Sequence, residues 1–333
     1  MPKPLTIALD AMGGDAGPAV SVPAALAMLE QHPELNIVLV GQVETLQARL
    51  SKGHPRLRLV DAREVVAMDE KPSDALRKKK DSSLRVAINL VKEGAADACV
   101  SAGNTGALMA TGKFVLKTLP GIDRPAIMAA IPTISGNTHM LDLGANTDCT
   151  ADHLFQFAVM GSVVSAVIEN IRDPRVALLN IGEEEIKGND TIRQAHAMLS
   201  ASSLNYVGFI EGDQVGKHRA DVIVCDGFSG NVALKVMEGT ASLVSHYIKQ
   251  GFGSGIYGRF AGLVALPVLK NLRDALDPRR YNGASFLGLN GIVVKSHGGA
   301  DTVAFQQAIQ VAMLEVEKGV PDTINKMLSA QTS

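Results

Sequence analysis

Ala98-Cys99-Val100-Ser101-Ala102-Gly103-Asn104-Thr105-Gly106 begins as a short apolar run, turns on small and polar residues, and enters a helical pattern that reaches residue 117. An apolar run of that length, bounded by Gly, reads as a buried strand, and Asn or Thr ahead of a helical period reads as a cap. The same grammar recurs along the chain. Strand-like runs fall at Leu5–Leu9, Ile37–Val40, Leu57–Val60, Ala98–Val100, Ile127–Ile131, Val176–Ile181, Val207–Ile210, Val222–Val224 and Ile292–Lys295. Helical patterns sit at 19–31, 43–51, 83–93, 105–117, 151–170, 190–201, 231–249 and 302–317. This alternation predicts a three-layer α/β/α fold with a mostly parallel sheet. The last helix is well punctuated, with Asp301 as N-cap and Gly319 then Pro321 past its end.

Composition narrows the function classes. The chain has 333 residues, enough to bury roughly three quarters of its unfolded surface as one catalytic unit or two lobes with a seam near 120 or 172. A net charge of −2 gives no global attraction to nucleic acid, so a site for a charged partner must be local. Cys99, Cys149 and Cys225 lack CxxC spacing, which argues against a disulfide framework or structural zinc and fits a reducing cytoplasm. The start, Met1-Pro2-Lys3-Pro4, lacks the apolar region of a secretory signal. The uncharged stretch Leu154–Ile168 falls short of the roughly 20 residues a bilayer span needs and reads as a core helix.

Polar, Gly-rich turns follow several of the strands, and each has two readings. Gly13-Gly14-Asp15-Ala16-Gly17-Pro18 is not GxGxxG, and Gly41-Gln42 stands where a dinucleotide fold needs an acid. It is either a tight strand–helix turn or a backbone-lined site for phosphate or a pantetheine arm. In Ser101–Gly106, small residues allow close approach of a ligand, and Asn104 or Thr105 either caps the helix or donates to an oxyanion. Asp142-Leu143-Gly144-Ala145-Asn146 is similar, though Asp142 and Asp148 would repel phosphate unless a cation sits close. In the acidic loop 180–190, Lys187 is the candidate ligand charge. Asp226-Gly227-Phe228-Ser229-Gly230-Asn231 lacks the GxSxG spacing of a nucleophile elbow, so Ser229 reads as a capping or ligand-contacting residue. His297, in a loop with Gly298 and Gly299, is either structural or a proton donor. The expectation is that these turns gather in one pocket around an anion.

Two further stretches stand out. Lys71-Pro72-Ser73-Asp74-Ala75-Leu76-Arg77-Lys78-Lys79-Lys80 concentrates positive charge without interleaved aromatics, so it reads as a solvated face or a dock for an acidic macromolecule rather than for single-stranded nucleic acid. In 252–272, Ile256, Phe260 and Leu263 share a helix face, and the run from Gly262 to Leu269, with Val264 and Leu266, is apolar all round and broken by Pro267. That segment suits a membrane interface, an acyl-chain cover, a dimer contact or plain burial.

Taken jointly, Leu9-Asp10-Ala11-Met12-Gly13-Gly14-Asp15, Ser101–Gly106, Asp226–Asn231, Ser296-His297-Gly298 and the basic segment resemble the PlsX-type phosphate acyltransferases of bacteria. The resemblance runs from about Ile7 to the final helix. It implies a fold like phosphotransacetylase and the isocitrate and isopropylmalate dehydrogenases, commonly as a homodimer. It also implies transfer of a fatty acyl group from acyl carrier protein to orthophosphate for phospholipid synthesis, with no cofactor and no metal.

Chemistry rather than family precedent then assigns roles. Asn104 and Asn231 are expected to serve the oxyanion, and His297 to protonate the leaving thiolate. Gly13, Gly14, Ser101, Gly103, Thr105, Gly106, Asn146, Lys187 and Ser229 are expected to line the substrate site. Arg77, Lys78, Lys79 and Lys80 would meet the carrier protein; Phe260, Leu263, Val264, Leu266 and Leu269 would meet the membrane. Competing readings are a short-chain phosphotransacetylase acting on acyl-CoA, an NAD-dependent dehydrogenase on the same scaffold, and a non-catalytic lipid-binding scaffold.

Overall fold

A computed structural model describes residues 4–275 and 277–331; Met1-Pro2-Lys3 lie outside it. Eleven strands form one sheet: β1 Leu5–Asp10, β2 Leu35–Gly41, β3 Leu57–Asp61, β4 Ala98–Ser101, β5 Ala126–Thr133, β6 Gly136–Leu141, β7 Val176–Leu179, β8 Tyr206–Ile210, β9 Val222–Val224, β10 Ala284–Leu287 and β11 Ile292–Lys295. Their order is β3-β2-β1-β4-β11-β10-β5-β6-β9-β7-β8. The helices are α1 Pro18–Gln31, α2 Val43–Gln47, α3 Pro72–Lys78, α4 Ser83–Lys92, α5 Thr105–Leu116, α6 Ala151–Ile168, α7 Asp190–Ser200, α8 Gly227–Gly253, α9 Gly255–Ala275, α10 Thr302–Lys318 and α11 Val320–Gln331.

Period-two alternation explains the layering. Ile7, Leu9, Val100 and Val294 point to one face and pack with Met28 of α1 and Phe305 and Ile309 of α10. Ala8, Cys99 and Val293 point to the other and pack with Leu84 and Ile88 of α4 and Leu108 of α5. In the second half, Leu141, Leu178 and Val222 meet Phe157 and Met160 of α6. Helix α6 is long and apolar enough to cross a membrane, but 67% of it is buried, as expected of a core helix.

The sheet is mostly parallel, with one consequential exception. β10 pairs antiparallel with β11 and β5, and β5 pairs antiparallel with β6. β6, β9, β7 and β8 then run parallel to one another, and so opposite to β1, β4 and β11. Neither β6 nor β10 was expected from the local pattern. β6 reads Gly-Asn-Thr-His-Met-Leu, whose Thr138 and His139 are buried polar residues satisfied by Ala220 O at 2.7 Å and by Ser165 at 2.8 Å.

The terminal punctuation holds: Asp301 accepts from the Ala304 amide at 2.9 Å, and Gly319 turns left-handed at φ 58°. Chain direction changes there, but a further helix, α11, follows. Pro267 does not break α9, which runs through it. Helices α8 and α9 meet at Ser254 with a bend of 116°.

One buried acid tests the energetics. Glu315 of α10 is enclosed, with Ser285 of β10 as its hydrogen-bond donor, and burial pushes its pKa from 4.5 up to about 7. A raised carboxyl pKa means that the folded chain holds a proton the unfolded chain has lost. Stability from this group therefore falls as pH rises from 4.5 through 7. E315Q should raise the denaturant midpoint above pH 7 by an amount worth roughly 1–3 kcal/mol and flatten the pH dependence, read by urea titration at several pH values.

Candidate active site

Three adjacent strands end in polar residues that stand in register: Asp10 opposite Ser101, and Ser101 opposite Lys295. All three continue the alternation of Ala8, Cys99 and Val293, so they leave the sheet on the α4–α5 face. Ser101 Oγ donates to Asp10 Oδ2 at 2.6 Å and accepts from the Gly103 amide at 3.0 Å. Burial raises the Asp10 pKa against the opposing bond from Ser101. Asp10 Oδ1 has no hydrogen-bond partner among the described residues. Lys295 is also buried, and its Nζ donates to the carbonyls of Ala102, at 3.3 Å, and Ser296. Burial pushes its pKa down to about 8.

Above these residues the loops after β1, β4 and β11 close on each other. The Asp15 amide donates to Gly298 O at 2.9 Å, and the Ser296 amide to Ser101 O at 2.9 Å. A Cβ at Gly13 would stand 2.5 Å from Asp10 Oδ2 and 2.8 Å from the Gly103 nitrogen. One at Gly14 would stand 2.8 Å from the Ala102 Cβ, at a φ of +85° that favours glycine anyway. Asn104 caps α5, its Oδ1 accepting from Ala107 at 2.9 Å, while Nδ2 donates to Met68 O at 2.7 Å and Glu70 O at 3.0 Å. Both amide hydrogens are thereby occupied, so Asn104 shapes the loop and offers no free donor to an oxyanion in this geometry. Thr105 and Gly106 are the first residues of α5, whose amides have no intrahelical acceptor. Thr105 is exposed, and Gly106 packs on Pro72.

His297 stands exposed at the rim of this group. Its backbone amide donates to Asn282 Oδ1 at 2.8 Å, and its Nδ1 accepts from the Gly299 amide at 3.1 Å. An accepting Nδ1 places the proton of the neutral ring on Nε2, which is the arrangement a donor to substrate needs.

The remaining turns do not join this group, which corrects the expectation of one pocket. Because β6, β9 and β7 run the other way, their following loops leave from the opposite end of the strands. There Asp142 accepts from the amides of Ile127, Gly144, Ala145 and Asn146 and from Asn146 Nδ2. Its charge is thus consumed inside the loop, and Asn146 is buried with it, its Nδ2 also donating to Pro125 O. Ser229 bonds Asp226, the N-cap of α8, through both its amide and its hydroxyl. Lys187 is exposed on the loop after β7, next to Glu183, Glu184 and Glu185, away from the first group.

Helix α8 links the two groups. It starts against Asn146, runs back along the sheet, and by Lys235, about 12 Å on, comes near enough to act electrostatically on Lys295. Asn231 lies one turn earlier on the same helix face. Lys295 and Asp10 are the site residues that pattern reading overlooked; the signal was a charge placed on the last step of an otherwise apolar strand.

Of the basic segment, Arg77, Lys78 and Lys80 are exposed, whereas Lys79 turns inward to Val65 O and to Glu70 at 2.6 Å. In α9, Phe260, Leu263, Val264 and Leu266 are exposed and Leu269 is half-buried.

Comparison with known proteins agrees with this architecture. The family model described as "Fatty acid synthesis protein" matches residues 5–323. A protein named phosphate acyltransferase from Alkalilimnicola ehrlichii is 62% identical over 99% of this chain and 98% of its own length. One of the same name from Halorhodospira halophila is 59% identical over 98% and 96%. Among solved structures, a phosphotransacetylase from Streptococcus pyogenes superposes with TM-score 0.62 at 20% identity, over 94% of both chains. A branched-chain phosphotransacylase from Enterococcus faecalis gives 0.59 at 14%, over 94% and 99%. These two show a shared fold.

The loop contacts make a direct prediction. Gly14→Ala combines left-handed strain with a Cβ clash, whereas Gly94→Ala, at φ +70° with nothing within 4 Å, carries strain alone. Gly14→Ala should cost more, by roughly 1–2 kcal/mol, in the denaturant midpoint.

Proposed function

The chain belongs to the PlsX-type phosphate acyltransferase family, and from that membership we propose that it moves a long-chain fatty acyl group from acyl carrier protein to orthophosphate. The product, acyl phosphate, would feed phospholipid synthesis. The observation that carries the reading is the closure of three strand-end loops on one another, with the α5 N-terminus following one of them and His297 on the rim of another. Such a rim offers backbone donors to a small dianion.

The chemistry needs little more. Hydrogenphosphate is already a nucleophile, so no acyl-enzyme on Ser or Cys is required. A phosphate oxygen attacks the thioester carbonyl carbon, the C–S bond breaks, and the acyl group leaves as its mixed anhydride with phosphate. The phosphate hydroxyl passes its proton to the His297 ring, and the imidazolium so formed gives the Nε2 proton to the departing thiolate, leaving the ring neutral. Holding the reactants together contributes several kcal/mol, and each preorganised donor to the tetrahedral oxyanion about 3 kcal/mol. Thr105 and Gly106 amides would supply such donors, whereas Asn231 lies against Gly144 of the second group. Asn104, Ser101, Gly103, Gly13 and Gly14 would hold the loops in shape. Asn146 and Ser229 would hold the start of α8, and Lys187 would act at a distance from the reaction.

Two surfaces suit the substrates. The exposed Arg77, Lys78 and Lys80 complement an acidic carrier protein, a charge match that acts mainly through encounter. The α8–α9 hairpin exposes Val236, Leu243, Tyr247, Ile256, Tyr257, Phe260, Leu263, Val264, Leu266 and Val268, far more apolar surface than a free-standing helix pair keeps in water. We read it as a contact with the inner face of the cytoplasmic membrane, two hairpins serving a homodimer.

Acyl carrier protein bearing a long acyl chain, incubated with and without orthophosphate and trapped as the hydroxamate, tests the activity. Phosphate-dependent hydroxamate is expected; equal yield without phosphate, or preference for acetyl-CoA, would overturn the reading. His297→Ala should cut turnover at least about tenfold, the low end for a general acid. Charge reversal at Lys78 and Lys80 should raise the KM for the carrier protein and leave that for phosphate unchanged. Phe260→Asp with Leu263→Asp should move the enzyme from sedimented anionic vesicles to the supernatant without lowering kcat.

A further inference from the structure

Lys295 is the charged side chain of the site whose position its surroundings explain least. It is 8% exposed, at the last step of β11, with Ser101 and Asp10 beside it in register on neighbouring strands. Its bonds go to two carbonyls, Ala102 O on the loop after β4 and Ser296 O on its own loop. An ammonium has three N–H groups, so one remains for a ligand. Asp10 and Asp15 attract it without bonding to it, and Lys235 of α8 repels it. A buried cation hydrogen-bonded only to carbonyls is held against a desolvation cost, which the two carboxylates offset in part. An anion on the remaining N–H of Lys295 offsets that cost.

Backbone geometry sets the same location. Lys295 bonds Ala102 O on the loop that meets Gly14 and Gly298 and leads, through Gly103 and Asn104, into α5. Lys187, the cation first suggested by the sequence, lies on the loop after β7 and does not reach this space.

We propose that Lys295 anchors orthophosphate in this site, and that Ser101 and Asp10 act as positioning residues that fix the strand ends holding the lysine. This rests on the acyl-transfer reading and names the charge which that reading otherwise lacks. Lys295 forms and breaks no covalent bond. It binds the nucleophile and orients it.

Steady-state kinetics on wild type, K295M, K295R and K235M, with phosphate and acyl carrier thioester varied separately, test the assignment. K295M should raise the KM for phosphate about 10–100-fold, the loss of one charge-assisted hydrogen bond. Its KM for the thioester should stay within about twofold. K235M, on an exposed lysine already paired with Glu238, should leave the phosphate KM within about twofold.

The pH profile separates binding from a structural role. Burial and Lys235 lower the Lys295 pKa to about 8, against Asp10 and Asp15, so the ammonium is lost as pH climbs past that value. The wild-type phosphate KM should therefore rise above about pH 8, and K295R, whose guanidinium stays charged, should lack that rise. Unchanged phosphate KM in K295M, or a wild-type KM flat through that range, overturns the proposal. If K295M fails to fold, the pH comparison of K295R with wild type decides. Inorganic phosphate alone should raise the thermal midpoint of wild type and not of K295M. That comparison is independent of turnover: absence of phosphate-dependent thioester loss in wild type would sink the functional reading, while the thermal shift would still judge the lysine.

Discussion

The bond from Ser101 Oγ to Asp10 Oδ2, 2.6 Å long and shut away from solvent, is the constraint on which the site depends. It ties the ends of β1 and β4 at the point where both chains leave the sheet. A buried carboxylate deprived of its donor costs more than the bond itself contributes, so the strand ends are held together by the penalty for separating them. Gly13 and Gly103 then have to pass within contact of that carboxylate; Gly13 has no room for a side chain, and at Gly103 one would press on Ser101 Oγ at 3.1 Å. The shape of the loops therefore follows from a polar pair beneath them rather than from contacts between the loops alone.

The sheet reversal gives the second half a different task. With β6, β9 and β7 pointing the other way, their loops cannot share the rim formed by β1, β4 and β11. Asp142 collects five N–H donors in that second group, which makes it a rigid footing and not a binding loop. Gly230 confirms how tight the footing is, since a Cβ there would lie 1.9 Å from Asp142 O. Helix α8 rises from this base, so the second half acts on the site through one lever.

Much of this was legible in the residues. Gly, Asn and Ser after apolar runs marked the loops of β1, β4 and β11, because tight strand–helix turns and caps need those residue types wherever they occur. Asp301 and Gly319 marked α10 for the same local reason. Strand direction was not legible, because pairing partners lie far apart in sequence and no single run encodes which way it will face. β6 hid behind Thr138 and His139, polar residues tolerated inside a strand because Ala220 and Ser165 answer them across the fold. Asn104 shows the converse: its type suggested a donor, but the carbonyls of Met68 and Glu70, more than thirty residues away, use that capacity up.

Charge follows the same logic at larger scale. A chain of net charge −2 has no long-range pull on a dianion, so attraction has to be concentrated where water is excluded and each charge counts for more. Strand ends on a sheet face covered by helices are such a place, and of the cations named along the sequence Lys295 is the one sited there. Lys78 and Lys80 remain in water, where salt screens them and their use is in first encounter. The three strand-end residues can thus be read as one device: Asp10 and Ser101 fix the geometry, and the field of Asp10 keeps a buried lysine charged until the substrate anion takes over that role.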